Sequence, residues 1–319
     1  MSPTRREFIQ ALAGAAAGVA LGSRASSQGV PSPLPRRVLG RTGVEVSVLS
    51  LGLGAPGDGR VDPGIVREVI EAALDAGINY IDTAPNYELM QPTLGSVMAR
   101  RRGDAFVTTK VEEQTREGAL VQIERSRREL QADVVDVALI HNVGDFDLDH
   151  MLGPDGAFTA LRQARDAGHV RFLGISGHNR PSKFAPVIRT GELDVVMVAM
   201  NFVDRHLYNF EEQVVPVARE QNCGIVCMKV LGGVVGWNYL NIGHARLGAP
   251  EHHESAVRYA LSLEGIATAT MGLCNLGELQ TALDAVRRFA PLSDDELAAL
   301  IRTGADLAPA WGHHYGPAD

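Results

Sequence analysis

The chain has 319 residues, of which 45% are apolar and 21% charged, ordinary proportions for a globular fold with a large core. A formal charge of −8, a pI near 5.7 and no basic stripe interleaved with aromatics exclude nucleic acid as a partner. Three cysteines, Cys223, Cys227 and Cys274, form neither a disulfide framework nor a C-x-x-C cluster, and they read as buried thiols.

In chain order, residues 1–25 read as a segment to be removed. Thr4-Arg5-Arg6-Glu7-Phe8-Ile9 resembles a twin-arginine export motif, and an Ala- and Gly-rich apolar run at 11–21 follows it. Ser23-Arg24-Ala25 then offers small residues for cleavage after Ala25. The run is too short for a stable membrane span, so the expectation is export by the twin-arginine machinery to the periplasm. A cytosolic chain with a disordered Ala-rich tail is the alternative. Residues 26–36 form a linker.

A hairpin is predicted over 37–48, turning at Arg41-Thr42-Gly43, and a first strand over 48–53. The helix at 64–76 has apolar residues at Ile65, Val69, Ala72 and Ala73. Residues 78–87 read I-N-Y-I-D-T-A-P-N-Y. Gly77 closes the preceding helix and Pro85 forbids further pairing, so Asp82 falls at the C-terminal end of a strand and Tyr87 on the loop beyond. After a short helix at 95–100, a strand at 106–110 ends in Lys110. A charged helix at 117–130 leads to a strand at 134–141 that ends in His141, with a helix at 157–167 after it. Further strands are predicted at 170–176, 195–201, 224–230 and 268–272, and helices at 183–190, 210–221, 254–264 and 277–289. Ser293 and Glu296 form a capping box for a last helix at 294–303. Two segments are placed near the mouth of the fold. The loop at 233–252 brings Trp237 and Tyr239, and the tail at 309–319 brings Trp311, His313, His314 and Tyr315.

Eight strands each followed by a helical pattern predict an α/β fold, a (β/α)8 TIM barrel over 37–290. An N-terminal hairpin opens it, and an extra C-terminal helix and tail occupy 291–319. An open doubly wound sheet is disfavoured, because Pro56 spoils the helix start in Gly52-Leu53-Gly54-Ala55-Pro56-Gly57. In a barrel all strand C-termini share one face, so Asp82, Lys110 and His141 converge.

An Asp and a Tyr five residues apart, then a strand-terminal Lys, then a strand-terminal His, resemble the catalytic tetrad of the aldo/keto reductase superfamily. The resemblance covers about residues 37–289. It implies NAD(P)(H)-dependent interconversion of a small carbonyl substrate, aldehyde or ketone, and its alcohol. Tyr87 would act as general acid, Lys110 and Asp82 would tune it, and His141 would orient the carbonyl. An unaided phenol, with a pKa near 10, is a poor acid at neutral pH, and a neighbouring ammonium favours its phenolate.

The resemblance also implies cofactor contacts from Gly54 and Ala55 after the first strand. Ser176 and Gly177 stand where the family carries a Ser-Asn pair for the carboxamide, and Met197 replaces a Gln on the sixth strand. Met228 stands where an aromatic stacks on nicotinamide; Lys229, Leu231 and Gly232 fall along the pyrophosphate. After the eighth strand, Gly272, Leu273 and Glu278 replace the basic residues of members that bind a 2′-phosphate, leaving the cofactor as NADP or NAD. These departures leave a second reading open, a non-catalytic nicotinamide-binding or sensing barrel. An exported enzyme has no replenishing dinucleotide pool, so a tightly held cofactor recycled between two substrates is expected. Asp145, Asp147 and Asp149 begin like a calcium loop but lack its glycine and its final glutamate, and read as a solvated acidic loop. No metal site is expected.

Overall fold

In the computed structural model, which describes residues 33–234 and 245–319, strand and helix alternate until the sheet closes on itself. The predicted signal segment, most of the linker, and Trp237 and Tyr239 lie outside the described residues. The chain enters through an antiparallel hairpin, β1 (Arg36–Val38) and β2 (Glu45–Ser47). The barrel strands are β3 (Leu49–Gly52), β4 (Tyr80–Asp82), β5 (Phe106–Val111), β6 (Val135–Ile140), β7 (Val170–Gly177), β8 (Val195–Ala199), β9 (Gly224–Met228) and β10 (Ile266–Gly272). Each pairs in parallel with its neighbours, and β10 returns to β3. The predicted barrel, hairpin and C-terminal helix are all present.

Two apolar shells hold it together. The barrel interior packs Tyr80, Phe106, Val137, Leu139, Met197 and Val226, and the hairpin plugs its bottom with Leu39 and Val46. Burying each of those two side chains contributes roughly 1.5–3 kcal/mol. The plug fits closely: Gly40 has a φ of +49°, and a Cβ there would lie 2.2 Å from the Gly224 amide nitrogen. The second shell lies between strands and helices. It is filled by alternate strand residues such as Leu51, Ile81 and Ile140 and by the inner helix faces.

Helices follow the strands with some departures from the predicted pattern. A short α1 (Gly54–Asp58) forms because Pro56 sits in its first turn, where a proline is tolerated. In α2 (Pro63–Asp75) Val66, Val69 and Ile70 face the core, whereas Ile65 is 46% exposed. The helix α3 (Met90–Arg101) starts earlier than predicted, and Gly95 within it lets the backbone at Glu129 approach, since a Cβ would meet that carbonyl at 2.1 Å. Then come α4 (Arg116–Glu129), α5 (Leu148–Leu152), α6 (Ala157–Asp166) and α7 (Phe184–Ile188). The predicted helix at 210–221 is divided into α8 (Phe210–Gln213) and α9 (Val215–Glu220) next to Pro216, which lacks an N–H for the ladder. After α10 (Pro250–Ser262) and α11 (Leu276–Arg287), the capping box at Ser293 and Glu296 opens α12 (Asp294–Trp311). That helix runs well beyond residue 303, because Gly304 packs against the Phe202 carbonyl and Trp311 against Gly232. No described helix is long and apolar enough to cross a membrane.

Candidate active site

Strand parity decides what reaches the C-terminal mouth of the barrel. Ile81 points to the outer shell, so Tyr80 and Asp82 point inward, and on β5 the inward set is Phe106, Thr108 and Lys110. Lys110 is 1% exposed and Asp82 4%, and the Lys110 ammonium lies 2.7 Å from both carboxylate oxygens. It also donates to the Thr83 carbonyl at 3.0 Å. Three acceptors thus meet an ammonium with three donors, the condition under which burial of such a charge is tolerated. Burial pulls both partners toward neutrality, raising Asp82 and lowering Lys110, while their attraction opposes it. The bidentate geometry favours the ionic pair.

Tyr87 leaves the strand end on the loop before α3, and its ring centroid lies 4.7 Å from the Lys110 nitrogen. Glycines seat it. A Cβ on Gly54 would stand 3.2 Å from the Tyr87 ring, and one on Gly57 would stand 2.9 Å from its carbonyl oxygen. His141 follows β6, held by its amide to the Val111 carbonyl at 2.8 Å, and meets Tyr87 edge-on at 6.2 Å between centroids. Its Nδ1 lies 3.0 Å from a Glu112 carboxylate oxygen. Burial lowers its pKa, and the Lys110 charge does the same. Asp82, Tyr87, Lys110 and His141, named from sequence, therefore form one cluster.

A cleft of about 470 Å³ opens over that cluster, within the range of small-molecule sites. Gly54, Ala55, Met228, Lys229, Leu231 and Gly272, expected at a cofactor, line it. Ser176, Gly177, Met197, Gly232 and Leu273 do not. Met197 pairs with Val226, one inward layer below Met228, and so is packed inside the barrel. Ser176 is fully buried and donates to the Ile140 carbonyl at 3.3 Å. Gly177 lies against the Phe184 ring, Gly232 against the Trp311 indole, and Leu273 belongs to the outer shell.

The structure adds Asn142 and Asp58, which no motif announced, to Lys229 and the tail residues named from sequence. Asn142, at a φ of +55°, accepts from His178 Nδ1 at 2.9 Å, and burial holds the His178 pKa well below its usual value. Asp58 and Lys229 also line the cleft; each offsets part of the burial that pulls the other toward neutrality. Asn179 is committed to the tail, donating to the Tyr315 carbonyl at 3.0 Å and to Asp145 at 3.1 Å. His314 and Tyr315 line the cleft, and Tyr208 fastens the tail by accepting from the Tyr315 amide at 2.7 Å. In the acidic loop, Asp147 caps α5 by accepting from the amides of Asp149 and His150. Among the described residues no group of three or more His, Cys, Asp or Glu is placed to hold a metal ion.

Behind the tail, buried Asp204 accepts from Asn201 at 2.6 Å, and its other oxygen faces His314 Nε2 at 3.6 Å. Burial raises its pKa from 3.8 to about 7. A carboxyl raised in the fold lets stability drain away as pH climbs from the unfolded value through the folded one. Asp204→Asn is therefore expected to melt above the wild type, by several degrees at pH about 8 and by much less at pH about 5. An equal gap at both pH values contradicts this.

Comparison with known proteins agrees with the geometry. The sequence profile described as "Aldo/keto reductase family" matches residues 48–252. A D-threo-aldose 1-dehydrogenase from Pseudomonas is 29% identical over 227 residues, covering 58% of this chain and 66% of that enzyme. A 6-dehydroglucose reductase from Novosphingobium aromaticivorans is 24% identical, covering 87% and 91% of the two chains. A solved aldo-keto reductase from Pseudomonas aeruginosa superposes with a TM-score of 0.65 at 25% identity, over 79% of this chain and 94% of that one.

Proposed function

The chain belongs to the aldo/keto reductase family, and from that premise we propose an NAD(P)(H)-dependent oxidoreductase that interconverts a small, polyhydroxylated aldehyde or ketone and its alcohol. The observation that carries the reading is the buried, fully satisfied Lys110–Asp82 pair beneath the Tyr87 ring. Bound in the cleft, the nicotinamide supplies a hydride to the carbonyl carbon or takes one from the alcohol carbon. Tyr87 gives the carbonyl oxygen its proton in reduction and takes the alcohol proton in oxidation. The Lys110 ammonium stabilises the phenolate that donation leaves, and Asp82 keeps that ammonium charged and aimed. A polar rim of Asn86, Asn142, Asp145 and His178 suits a substrate rich in hydroxyls, as do the sugar substrates named for the two enzyme relatives.

The residues present fit a nicotinamide dinucleotide. Gly52, Gly54, Gly272 and Met228 line the cleft, and the polarizable Met228 side chain would pack against a flat ring held there. At the other end the fit is to a ribose hydroxyl. Glu278 is buried in the wall and accepts from the Cys274 amide at 2.7 Å. Asp82 is paired with Lys110 and Asp145 with Arg180, so the charge that bears on a 2′-phosphate is the Glu278 carboxylate. A 2′-phosphate would enter a field of its own sign. Calorimetric titration is expected to give a dissociation constant for NADH at least about tenfold below that for NADPH, a difference of about 1.4 kcal/mol. Tighter NADPH binding would overturn the preference, and no binding of either would overturn the function.

The paired Arg5 and Arg6, the short apolar run and Ser23-Arg24-Ala25 support export by the twin-arginine machinery, with the cofactor loaded before transport. Arg5→Lys with Arg6→Lys would then keep the protein in the cytoplasm, as read by cell fractionation; unchanged periplasmic recovery would refute export by this route.

A further inference from the structure

We propose that the tail at 312–319 is a proton-dependent strap across the cleft, latched by one proton shared between Asp204 and His314, so that rising pH loosens the tail and speeds exchange of the bound dinucleotide. The effect on exchange rests on the oxidoreductase reading above; the latch itself does not.

The tail is anchored beyond the C-terminal ends of three neighbouring strands. Beyond β7, the Asn179 side chain donates to the Tyr315 carbonyl at 3.0 Å and the Arg180 backbone N–H to the Pro317 carbonyl at 3.3 Å. Beyond β8, the Tyr208 hydroxyl accepts from the Tyr315 N–H at 2.7 Å and donates to the Gly316 carbonyl at 3.2 Å. Beyond β9, a Cβ on Gly233 would stand 2.7 Å from the Tyr315 hydroxyl oxygen, and one on Gly232 would stand 2.3 Å from the Trp311 ring. His314 and Tyr315 thus line the cleft from a segment laid over the end of β8.

One further contact holds the tail, and its two atoms need a proton between them. His314 Nε2 lies 3.6 Å from Asp204 Oδ1, and neither atom has a hydrogen-bond partner among the described residues. A shift of roughly half an ångström closes that gap to hydrogen-bond length. His314 Nδ1 faces the Gly312 carbonyl at 3.1 Å, and a carbonyl has no hydrogen to give, so the ring hydrogen belongs on Nδ1. Nε2 of the neutral ring then presents a lone pair to the carboxyl oxygen. With Asp204 ionised the two atoms repel. With Asp204 protonated the carboxyl donates to Nε2, and the contact becomes a bond. The side chains are 1% and 11% exposed, so water does little to relieve the repulsion.

The surroundings hold that proton in place. Burial keeps it on Asp204, helped by the Glu211 carboxylate, while Asn201, Arg246 and Lys229 oppose them. Burial also keeps the His314 ring neutral, helped by Arg246, Lys229 and His313 and opposed by the Gly312 carbonyl. Tyr208 and His178 also face the pair. Once the tail lifts, Asp204 meets water and returns toward the ordinary carboxyl range, so the closed tail binds the proton more tightly than the open one. Closure is therefore strongest in acid. It weakens as pH climbs from that ordinary range to about 7, where the closed form gives up its proton, and it levels off above.

The test follows the purified full chain between pH about 5 and about 8 by two readouts. Hydrogen–deuterium exchange, corrected for the pH dependence of the intrinsic rate, is expected to show protection of the tail peptide falling at least about tenfold across that range. Release of bound NADH into excess NAD, followed by nicotinamide fluorescence, is expected to quicken severalfold over the same range. In Asp204→Asn the amide donates to Nε2 at every pH, so both profiles should flatten, although Glu211, whose pKa burial also raises to about 7, still titrates. His314→Gln, which sets an amide N–H in place of Nε2, should flatten the tail profile as well and serves if the first variant fails to fold. Tail protection that is constant with pH in the wild type, or a wild-type profile in both variants, overturns the latch. A tail that loosens while NADH release stays constant overturns its part in exchange. A protein that binds no NADH overturns the oxidoreductase reading, and exchange of the tail amides still decides the latch.

Discussion

Lys110→Met is expected to lower turnover by on the order of 10²–10⁴-fold and, in the same variant, to cost roughly 3–5 kcal/mol of stability. Both effects follow from one geometry. The ammonium is 2.7 Å from each oxygen of Asp82, and the two side chains are all but sealed from water. Without the ammonium, Asp82 must keep an uncompensated buried charge or take up a proton, and Tyr87 loses the cation that stabilises its phenolate. Thermal melting should show a fall of roughly 6–10 °C. The double variant with Asp82→Leu separates the two effects. It removes the stranded carboxylate along with the ammonium, so it should recover much of the melting temperature and none of the turnover. A Lys110→Met protein with wild-type turnover would dismiss the buried pair as part of the chemistry.

Tyr87→Phe is the narrower cut. The ring stays seated on Gly54 and beside Lys110; only the hydroxyl is lost. Turnover of aldehydes and of alcohols should both fall by on the order of 10²–10⁴-fold, because the same oxygen gives the proton in one direction and takes it in the other. Dinucleotide affinity should stay within about twofold, and stability within about 1 kcal/mol. Steady-state rates at saturating cofactor, with a fluorescence titration of NADH, measure both. Full activity in Tyr87→Phe would remove Tyr87 from the mechanism. A matching loss of dinucleotide binding would turn it into a binding residue instead.

The cluster of Asp82, Tyr87, Lys110 and His141 was legible in the sequence because punctuation marks its strand ends. Gly77 and Pro85 bracket the strand that delivers Asp82, and Lys110 and His141 close apolar runs. The eight-fold alternation made the barrel legible for the same reason. Glu112 carries no such mark. Its contact with His141 depends on β5 and β6 being neighbours and on the inward parity of positions 108, 110 and 112, which only the closed sheet supplies. The His178–Asn142 and Asp58–Lys229 pairs likewise join residues far apart in sequence. Met197 shows the opposite error, a residue on the expected strand but one layer too deep, because a run of apolar residues does not reveal which rung faces the cleft. The end of α12 was hidden too. Its capping box announces the start, whereas its length is set by distant contacts, Gly304 on the Phe202 carbonyl and Trp311 on Gly232.

Hydride transfer itself is the most direct test. Purified protein should be incubated with glyceraldehyde and NADH or NADPH deuterated on either face of nicotinamide C4, and the alcohol product weighed by mass spectrometry. The expected result is one deuterium per product molecule from one face only, lost in Tyr87→Phe. A protein that binds the dinucleotide yet transfers no deuterium to any of a broad panel of aldehydes and ketones would contradict the function proposed for this barrel.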